Sequence, residues 1–131
     1  MKEVFEFLKN SGVFYIATVD GDQPHVRPFG AVSEFEGKLY IITNNEKDVY
    51  KQIMNNPKVE VSCMNSKGQW IRLTATLVRD ERREAKTAML NANPDLRGMY
   101  SEDDGKMEVL FFEKVTAAIC SFTSAPEIYS F

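Results

Sequence analysis

The most informative segment for the fold is LYIITNNEKDVYKQIMNNPKVEV, residues 39–61. Its first part belongs to a short apolar run at 38–43, which is typical of a buried strand. Residues 49–54 then place their apolar side chains on one helical face, and Asn55-Asn56-Pro57 ends that helix. Residues 58–64 alternate between polar and apolar side chains, which predicts another strand. The stretch therefore reads as strand, helix, strand.

The same patterns extend outward over the rest of the chain. Further strands are predicted at residues 13–19, 25–34, 70–78 and 108–122, the last bent midway, with a short final strand possible at 127–131. Helices are predicted at residues 2–10 and from an N-cap at Asp80 to about Asn91. These helices are too few and too irregularly placed for a parallel βαβ sheet. We expect a mainly β chain with a few helices, in a closed or nearly closed antiparallel barrel.

Length and charge limit the possible partners. The 131 residues are enough for one domain, so residues 1–131 are taken as a single unit. The net charge of −3 does not suit nucleic acid or an anionic membrane. No apolar run approaches the roughly 20 residues of a membrane helix. The N-terminal MKEVFEFLKN carries Glu3 and Glu6 within its apolar pattern, which argues against a signal peptide.

Composition also limits the chemistry. Cys63 and Cys120 lie outside any C-x-x-C spacing, and we interpret them as reduced core residues of a cytoplasmic protein, with a disulfide or redox role as the alternative. His25 is the single histidine, so a metal site of His and Cys has too few ligands. No nucleophile–histidine–carboxylate spacing is present, so no catalytic residue is nominated. If the protein is an enzyme, a bound cofactor is expected to do the chemistry.

Residues 43–47 (TNNEK) begin the predicted helix and allow two interpretations. A helix N-terminus with Thr43, Asn44 and Lys47 beside it is a reasonable phosphate cradle, because free N–H groups and positive charge attract anions. Thr43-x-x-Glu46 is also the pattern of a capping box, in which the two side chains only satisfy the helix start. The segment alone does not decide between them.

The strand before it contains an unusual combination of residues. Arg27 lies in an otherwise apolar strand, where it is either a solvent-facing arginine or a ligand-binding one. Pro28 cannot donate to a ladder, and Gly30 lets another group approach the backbone, so a flat ligand could lie against this strand. Farther along, Trp70 and Arg72 share one face of their strand. Trp70 there is either a core or dimer contact or a cofactor-stacking residue.

Taken together and in order, these pieces resemble the pyridoxamine 5′-phosphate oxidase-like family of FMN-binding split barrels, close to its small bacterial, nitroimidazole-resistance-type members. The matching pieces are IATVDGDQPHVRPF at 16–29, LYIITNNEKDVYKQIMNNPKVEV at 39–61 and WIRLTATLV at 70–78. The resemblance implies a six-stranded antiparallel split β-barrel. It also implies a homodimer that binds FMN in a groove at the interface.

The resemblance also implies which residues bind the cofactor. Arg27 and Lys47 would hold the phosphate, helped by Thr43 and Asn44, and the backbone of residues 26–30 would follow the ring edge. Trp70 and Arg72 would approach from the second subunit. The implied FMN-binding set is Val26, Arg27, Pro28, Phe29, Gly30, Thr43, Asn44, Lys47, Trp70 and Arg72.

The sequence departs from the family pattern in three respects. Ala75 stands where many members have glycine, and Asn45 and Glu46 stand where the nitroimidazole-resistance branch typically has histidine. Residues 93–106 lack the C-terminal substrate motif of true pyridoxamine phosphate oxidases, so vitamin B6 is not the expected substrate.

Three functions follow as hypotheses. The first is an FMN-dependent oxidoreductase that passes hydride or electrons from NAD(P)H to a small aromatic, quinone or nitro acceptor. The second is a non-enzymatic flavin-binding or electron-carrier module. The third is a barrel that binds another group such as haem, against which the single histidine argues.

Overall fold

The computed structural model describes residues 1–131 and consists of eight strands and three α-helices. In chain order the elements are α1 (Lys2–Ser11), β1 (Phe14–Asp20), β2 (Gln23–Phe29), β3 (Val32–Phe35), β4 (Lys38–Asn44), α2 (Asp48–Asn55), β5 (Lys58–Met64), β6 (Trp70–Asp80), α3 (Arg83–Ala92), a 3₁₀ helix (Pro94–Gly98), β7 (Met107–Cys120) and β8 (Glu127–Ser130). The mainly β class predicted from the sequence is confirmed.

All strand pairs are antiparallel, in the order β2-β1-β5-β6-β7-β4-β3, with β8 added to β7. The terminal strands β2 and β3 do not pair with each other, although only Gly30 and Ala31 join them. The strand count is therefore eight and not the predicted six. The single strand expected at 25–34 breaks after Phe29, where Pro28 and Gly30 disfavour a continuous ladder, and the tail forms β8.

Two clusters of buried side chains lie on the two faces of the sheet. In β5, Val59, Val61 and Cys63 point into the larger cluster, which α1 and α2 close. The smaller cluster lies between α3 and the other face of β4, where Tyr40 and Ile42 are buried against Met89. The predicted alternation of β5 is confirmed, and α3 turns out to be the element that covers the second face.

The predicted bend of the last long strand is also observed. Lys114 and Val115 of β7 both lie opposite Ala75, between the pairs Thr74–Thr116 and Thr76–Glu113. This is a β-bulge, and Lys114 adopts a left-handed φ of 53° within it. The bulge redirects β7, so that its first half pairs with β4 and its second half with β8.

Asp80 is not the N-cap of α3, as the sequence suggested. It is the last residue of β6, and α3 begins three residues later. Its carboxylate accepts hydrogen bonds from the Tyr40 hydroxyl (2.6 Å) and from Arg82, which also pairs with Glu36 (2.6 Å). Arg82 holds the pKa of Asp80 well below its usual range, while burial and Asp80 raise the pKa of Tyr40 to about 12. The Asp80 carboxylate is therefore occupied by the buried Tyr40 hydroxyl and by Arg82, and it does not cap α3.

The two cysteines are free thiols on opposite sides of the sheet. Cys63 is buried in the larger cluster, which raises the pKa of its thiol. Cys120 lies next to Trp70 and faces away from that cluster. No helix of the protein is both long enough and apolar enough to cross a membrane.

Candidate functional site

A cavity of about 570 Å³ opens where the sheet is split. One wall is the connection from β2 to β3, from Arg27 to Ala31. The second is the end of β4 and the start of α2, with Thr43 and Lys47. The third is the end of α3 and the segment after it. The cavity falls in the size range of cofactor sites.

Arg27 is held at this cavity by neutral groups. Its Nη1 donates to Thr18 Oγ1 (2.7 Å) and to the carbonyl oxygens of Ile16 (3.2 Å) and His25 (3.3 Å). Its Nη2 donates to Gln52 Oε1 (2.7 Å). Period-two geometry explains the direction, because Arg27 pairs with Ile16 and points to the same inner side as that core residue.

The charge of Arg27 has no carboxylate partner within salt-bridge distance, whereas all five other arginines of the chain have one: Arg72, Arg79, Arg82, Arg83 and Arg97. Burial lowers its pKa and the carboxylate of Asp48 opposes this shift, but a guanidinium keeps its proton in proteins. A half-buried cation without an ion-pair partner reduces the stability of the folded protein unless an anion binds beside it. The arrangement therefore suits an anionic ligand.

The start of α2 supplies the second part of the anion site. Thr43 is in β4 with 2% exposure and the N-cap is Lys47, so the capping box suggested by Thr43 and Glu46 does not form. No side chain caps α2, and Asn44 Oδ1 accepts from the backbone N–H of Glu46 before the helix begins. The first N–H groups of α2 therefore remain available to an anion. Lys47 is exposed beside them and makes no ion pair within 4.0 Å.

Gly30 lines the same cavity and leaves room in it. Its φ is not positive, and a Cβ built there would meet no atom within 4 Å. Neither backbone conformation nor packing within the chain requires glycine here, so the free space belongs to the cavity. The edge strand β2 has only β1 as a neighbour, which leaves part of its backbone N–H and C=O groups without a ladder partner.

The cavity brings together six of the ten sequence-predicted residues and leaves four outside. The lining residues among them are Arg27, Pro28, Phe29, Gly30, Thr43 and Lys47. Asn44 is half-buried behind the helix start. Val26 is 67% exposed and points away from the cavity. Trp70 and Arg72 lie on β6, where they contact Phe122 (4.9 Å between ring centroids) and Glu60 (3.0 Å) respectively.

Trp70 and Arg72 belong to an exposed apolar surface, which we call the outer face. The register aligns outward side chains across β2, β1, β5, β6, β7 and β8. Its large apolar members are Tyr15, Val26, Met64, Trp70, Phe122 and Ile128. Phe122 is 84% exposed. An apolar surface of this kind is typical of an interface.

Sequence reasoning missed two parts of the site. Thr18 and Gln52, which hold Arg27, are 34 residues apart and carry no motif of their own. The third wall, from Asn93 to Tyr100, was predicted only as an irregular connection. Pro94 just after α3 was its one available signal, because proline starts a new short helix readily.

The arrangement is suited to one class of ligand. Arg27, Lys47 and the start of α2 bring cationic and N–H donors to the cavity, and Phe29, Ile42 and Leu96 are among its apolar lining residues. A molecule with an anionic end and a flat apolar body fits both parts. No group of three or more His, Cys, Asp and Glu side chains is placed to hold a metal ion.

Comparisons with known proteins give the chain a family. The sequence model of the pyridoxamine 5′-phosphate oxidase family matches residues 1–115. A NimC/NimA family protein from Clostridium acetobutylicum is 58% identical, with a TM-score of 0.97, over 100% of this chain and 93% of that one. A search of curated proteins finds no match.

More distant structures share the fold. A heme binding protein from Mycobacterium smegmatis is 14% identical, with a TM-score of 0.77 over 98% of this chain and 56% of that one. A pyridoxamine 5′-phosphate oxidase-related, FMN binding protein from Nostoc punctiforme is 11% identical, with a TM-score of 0.64 over 99% and 94%. Because the identities are this low and the two named ligands differ, these likenesses show the fold only. The ligand of this chain has to be inferred from its own site.

Proposed function

This chain belongs to the pyridoxamine 5′-phosphate oxidase family and to the NimC/NimA family, and from that premise we propose that it is an FMN-dependent oxidoreductase. It takes hydride or electrons from NAD(P)H and passes them to a small aromatic, quinone or nitro acceptor. The observation that carries the proposal is the unpaired guanidinium of Arg27, which faces neutral partners at a cavity beside an uncapped helix start.

FMN fits the residues present. Its phosphate needs cationic and N–H partners when it leaves water. Arg27, Lys47 and the first turn of α2 supply them, with Thr43 beside the helix start. The backbone from Val26 to Gly30 is suited to follow the ring edge, because it belongs to an edge strand and ends in a residue without a side chain.

When bound, FMN supplies reversible hydride transfer between NAD(P)H and the acceptor. The chain's own contribution is binding and orientation. Phe29 and Ile42 keep part of the cavity apolar, which favours a flat ring and limits water around it. The cationic and N–H donors fix the position of the phosphate, and with it the position of the ring.

A second copy of the chain completes this proposed site. The outer face, with Phe122 and Ile128 well exposed, supports self-association, since burial of apolar area drives assembly. Trp70 and Arg72 lie on that face and not at the cavity of their own chain. In a homodimer with FMN at the interface, Trp70 and Arg72 of the second copy approach the cofactor from the side that the first copy leaves open.

Flavin binding is tested directly on the purified protein. We expect added FMN to be retained after desalting, with quenched fluorescence and a shifted visible spectrum. We then expect NAD(P)H consumption with a quinone or nitroaromatic acceptor. Absence of retained FMN and of quenching at micromolar flavin would contradict the proposal. Retained FMN without turnover, across the acceptors, would instead identify a non-enzymatic flavin carrier.

The dimer is tested by a charge on the outer face. We expect Phe122→Glu to convert a dimer of twice 14.9 kDa into a monomer in analytical ultracentrifugation, because a carboxylate would have to leave water in the interface. FMN affinity should fall with it. Met54→Glu, at an exposed apolar position on α2 away from the outer face, is the control and should leave the dimer intact. A wild-type monomer that binds FMN normally would refute this part.

A further inference from the structure

Thr18 and Gln52 form a fixed pair behind Arg27. The Thr18 hydroxyl, on a residue with 1% exposure, donates to Gln52 Oε1 at 2.6 Å. The same two oxygens accept from Arg27, Oγ1 from Nη1 and Oε1 from Nη2. Only the amide oxygen of Gln52 can accept from a guanidinium, so the arginine dictates the orientation of that amide. Three elements, β1, β2 and α2, therefore converge on one hydrogen-bonded triangle.

Thr18 and Gln52 occupy one edge of the Arg27 guanidinium and leave a second edge free. Arginine has five N–H donors in a planar fork. The Nη1 and Nη2 donors on the end of the fork point to Thr18 and Gln52, and Nη1 also reaches two carbonyl groups. Nε has no acceptor in the protein, and Nη2 has one donor left. The side edge, formed by Nε and Nη2, is the geometry that binds two oxygens of one phosphate in parallel.

We propose that Thr18 and Gln52 are positioning residues that orient the Nε–Nη2 edge of Arg27 toward a phosphate and so make the site selective for a phosphorylated flavin over its dephosphorylated form. This inference rests on the proposed function. The pair acts through Arg27 and does not itself touch the cofactor.

The neutrality of the pair is what makes this selectivity possible. A carboxylate at either position would hold the guanidinium equally well but would neutralise it. The hydroxyl and the amide fix its orientation, reduce the side-chain freedom that binding would otherwise have to remove, and leave its full positive charge for the ligand. Each of the other five arginines of the chain is paired with a carboxylate, so Arg27 differs from them in the feature that phosphate recognition requires.

Gln52→Glu tests the inference, because it keeps the shape of the side chain and the oxygen that accepts from Thr18 and Arg27, replaces an NH2 group that makes no hydrogen bond within the protein, and adds a negative charge. We expect the Kd for FMN to rise at least about 10-fold, the scale of one charge-assisted hydrogen bond. The Kd for riboflavin, which lacks the phosphate, should change less than about twofold. Both are measured by flavin fluorescence quenching on the full chain. Asn55→Asp, at an exposed position on the same helix with no side-chain hydrogen bond, is the matched control and should alter neither Kd.

The possible results separate the inference from the function on which it rests. Equal weakening of FMN and riboflavin, or an unchanged ratio of their Kd values, would overturn the positioning role while FMN binding by the wild type still stands. A wild type that binds no FMN would overturn both. Should Gln52→Glu not fold, Thr18→Val decides: loss of the hydroxyl is expected to lower the preference for FMN over riboflavin, and an unchanged preference refutes the inference.

Discussion

Replacing Arg27 and Lys47 together with alanine is expected to weaken FMN binding by about 100- to 10,000-fold while the protein stays folded. A hydrogen bond to a charged group contributes about 1.5–3 kcal/mol, and each 1.4 kcal/mol is a factor of ten in affinity. Lys47 is exposed and unpaired, and Arg27 has neutral partners only. Neither substitution therefore removes a salt bridge from the folded protein. The loss is measured as the Kd for FMN by fluorescence quenching, with circular dichroism as the test of folding.

Two comparisons make this result specific. Lys51→Ala removes an exposed lysine one turn farther along α2, outside the cavity, and should leave the Kd nearly unchanged. The Kd of the double variant for riboflavin should also stay close to that of the wild type, because the lost contacts are to phosphate. If the double variant bound FMN as the wild type does, the phosphate would have to be held elsewhere.

Asp80→Asn is expected to reduce the free energy of unfolding by about 2 kcal/mol. Asp80 is 7% exposed and accepts from Tyr40 and Arg82, and the buried Tyr40 hydroxyl has no other acceptor. Removing the charge from a buried pair costs about 3–5 kcal/mol when both partners are buried, and less here because Arg82 is half-exposed. Urea denaturation followed by circular dichroism measures the change.

Exposure and pH provide the controls for Asp80. Asp103→Asn breaks an exposed ion pair with Arg83 and should leave stability unchanged. The folded-state pKa of Asp80 is depressed, so its contribution is complete above its unfolded pKa of about 4 and is lost as the pH falls below it. The difference between wild type and Asp80→Asn should therefore be full at pH 7 and shrink below about pH 4. A difference independent of pH would contradict the assigned role of the carboxylate.

Local patterns predicted most elements of the fold because each depends on neighbours in sequence. The alternation of β5 and the change of period into α2 are of this kind, and both are observed. Predictions failed where a side chain had two possible partners. Asp80 suited a helix cap by sequence, but the hydroxyl of Tyr40, 40 residues away, lies within 2.6 Å of its carboxylate. No local sequence pattern indicates that two residues so far apart in the chain come into contact.

The candidate site divides in the same way. Arg27, Pro28 and Gly30 stood out because an arginine, a proline and a glycine in one strand need a reason, and all three line the cavity. The segment from Thr43 to Lys47 remained ambiguous by sequence, since a capping box and a phosphate cradle use the same residue types. The structure excludes the capping-box interpretation, because Thr43 is part of β4 and the N-cap is Lys47.

Sequence patterns alone were sufficient to predict the mainly β class, the family and the segments around Arg27 and Lys47 that line the candidate site. These follow from hydrophobic period, turn chemistry and short motifs, all of which are local. How the candidate site is built depends instead on contacts between residues that are distant in sequence. The orientation of Arg27 depends on Thr18 and Gln52, which lie 9 and 25 residues from it along the chain. A hydrogen bond requires atoms within about 3 Å, and for distant residues only the folded chain sets that distance.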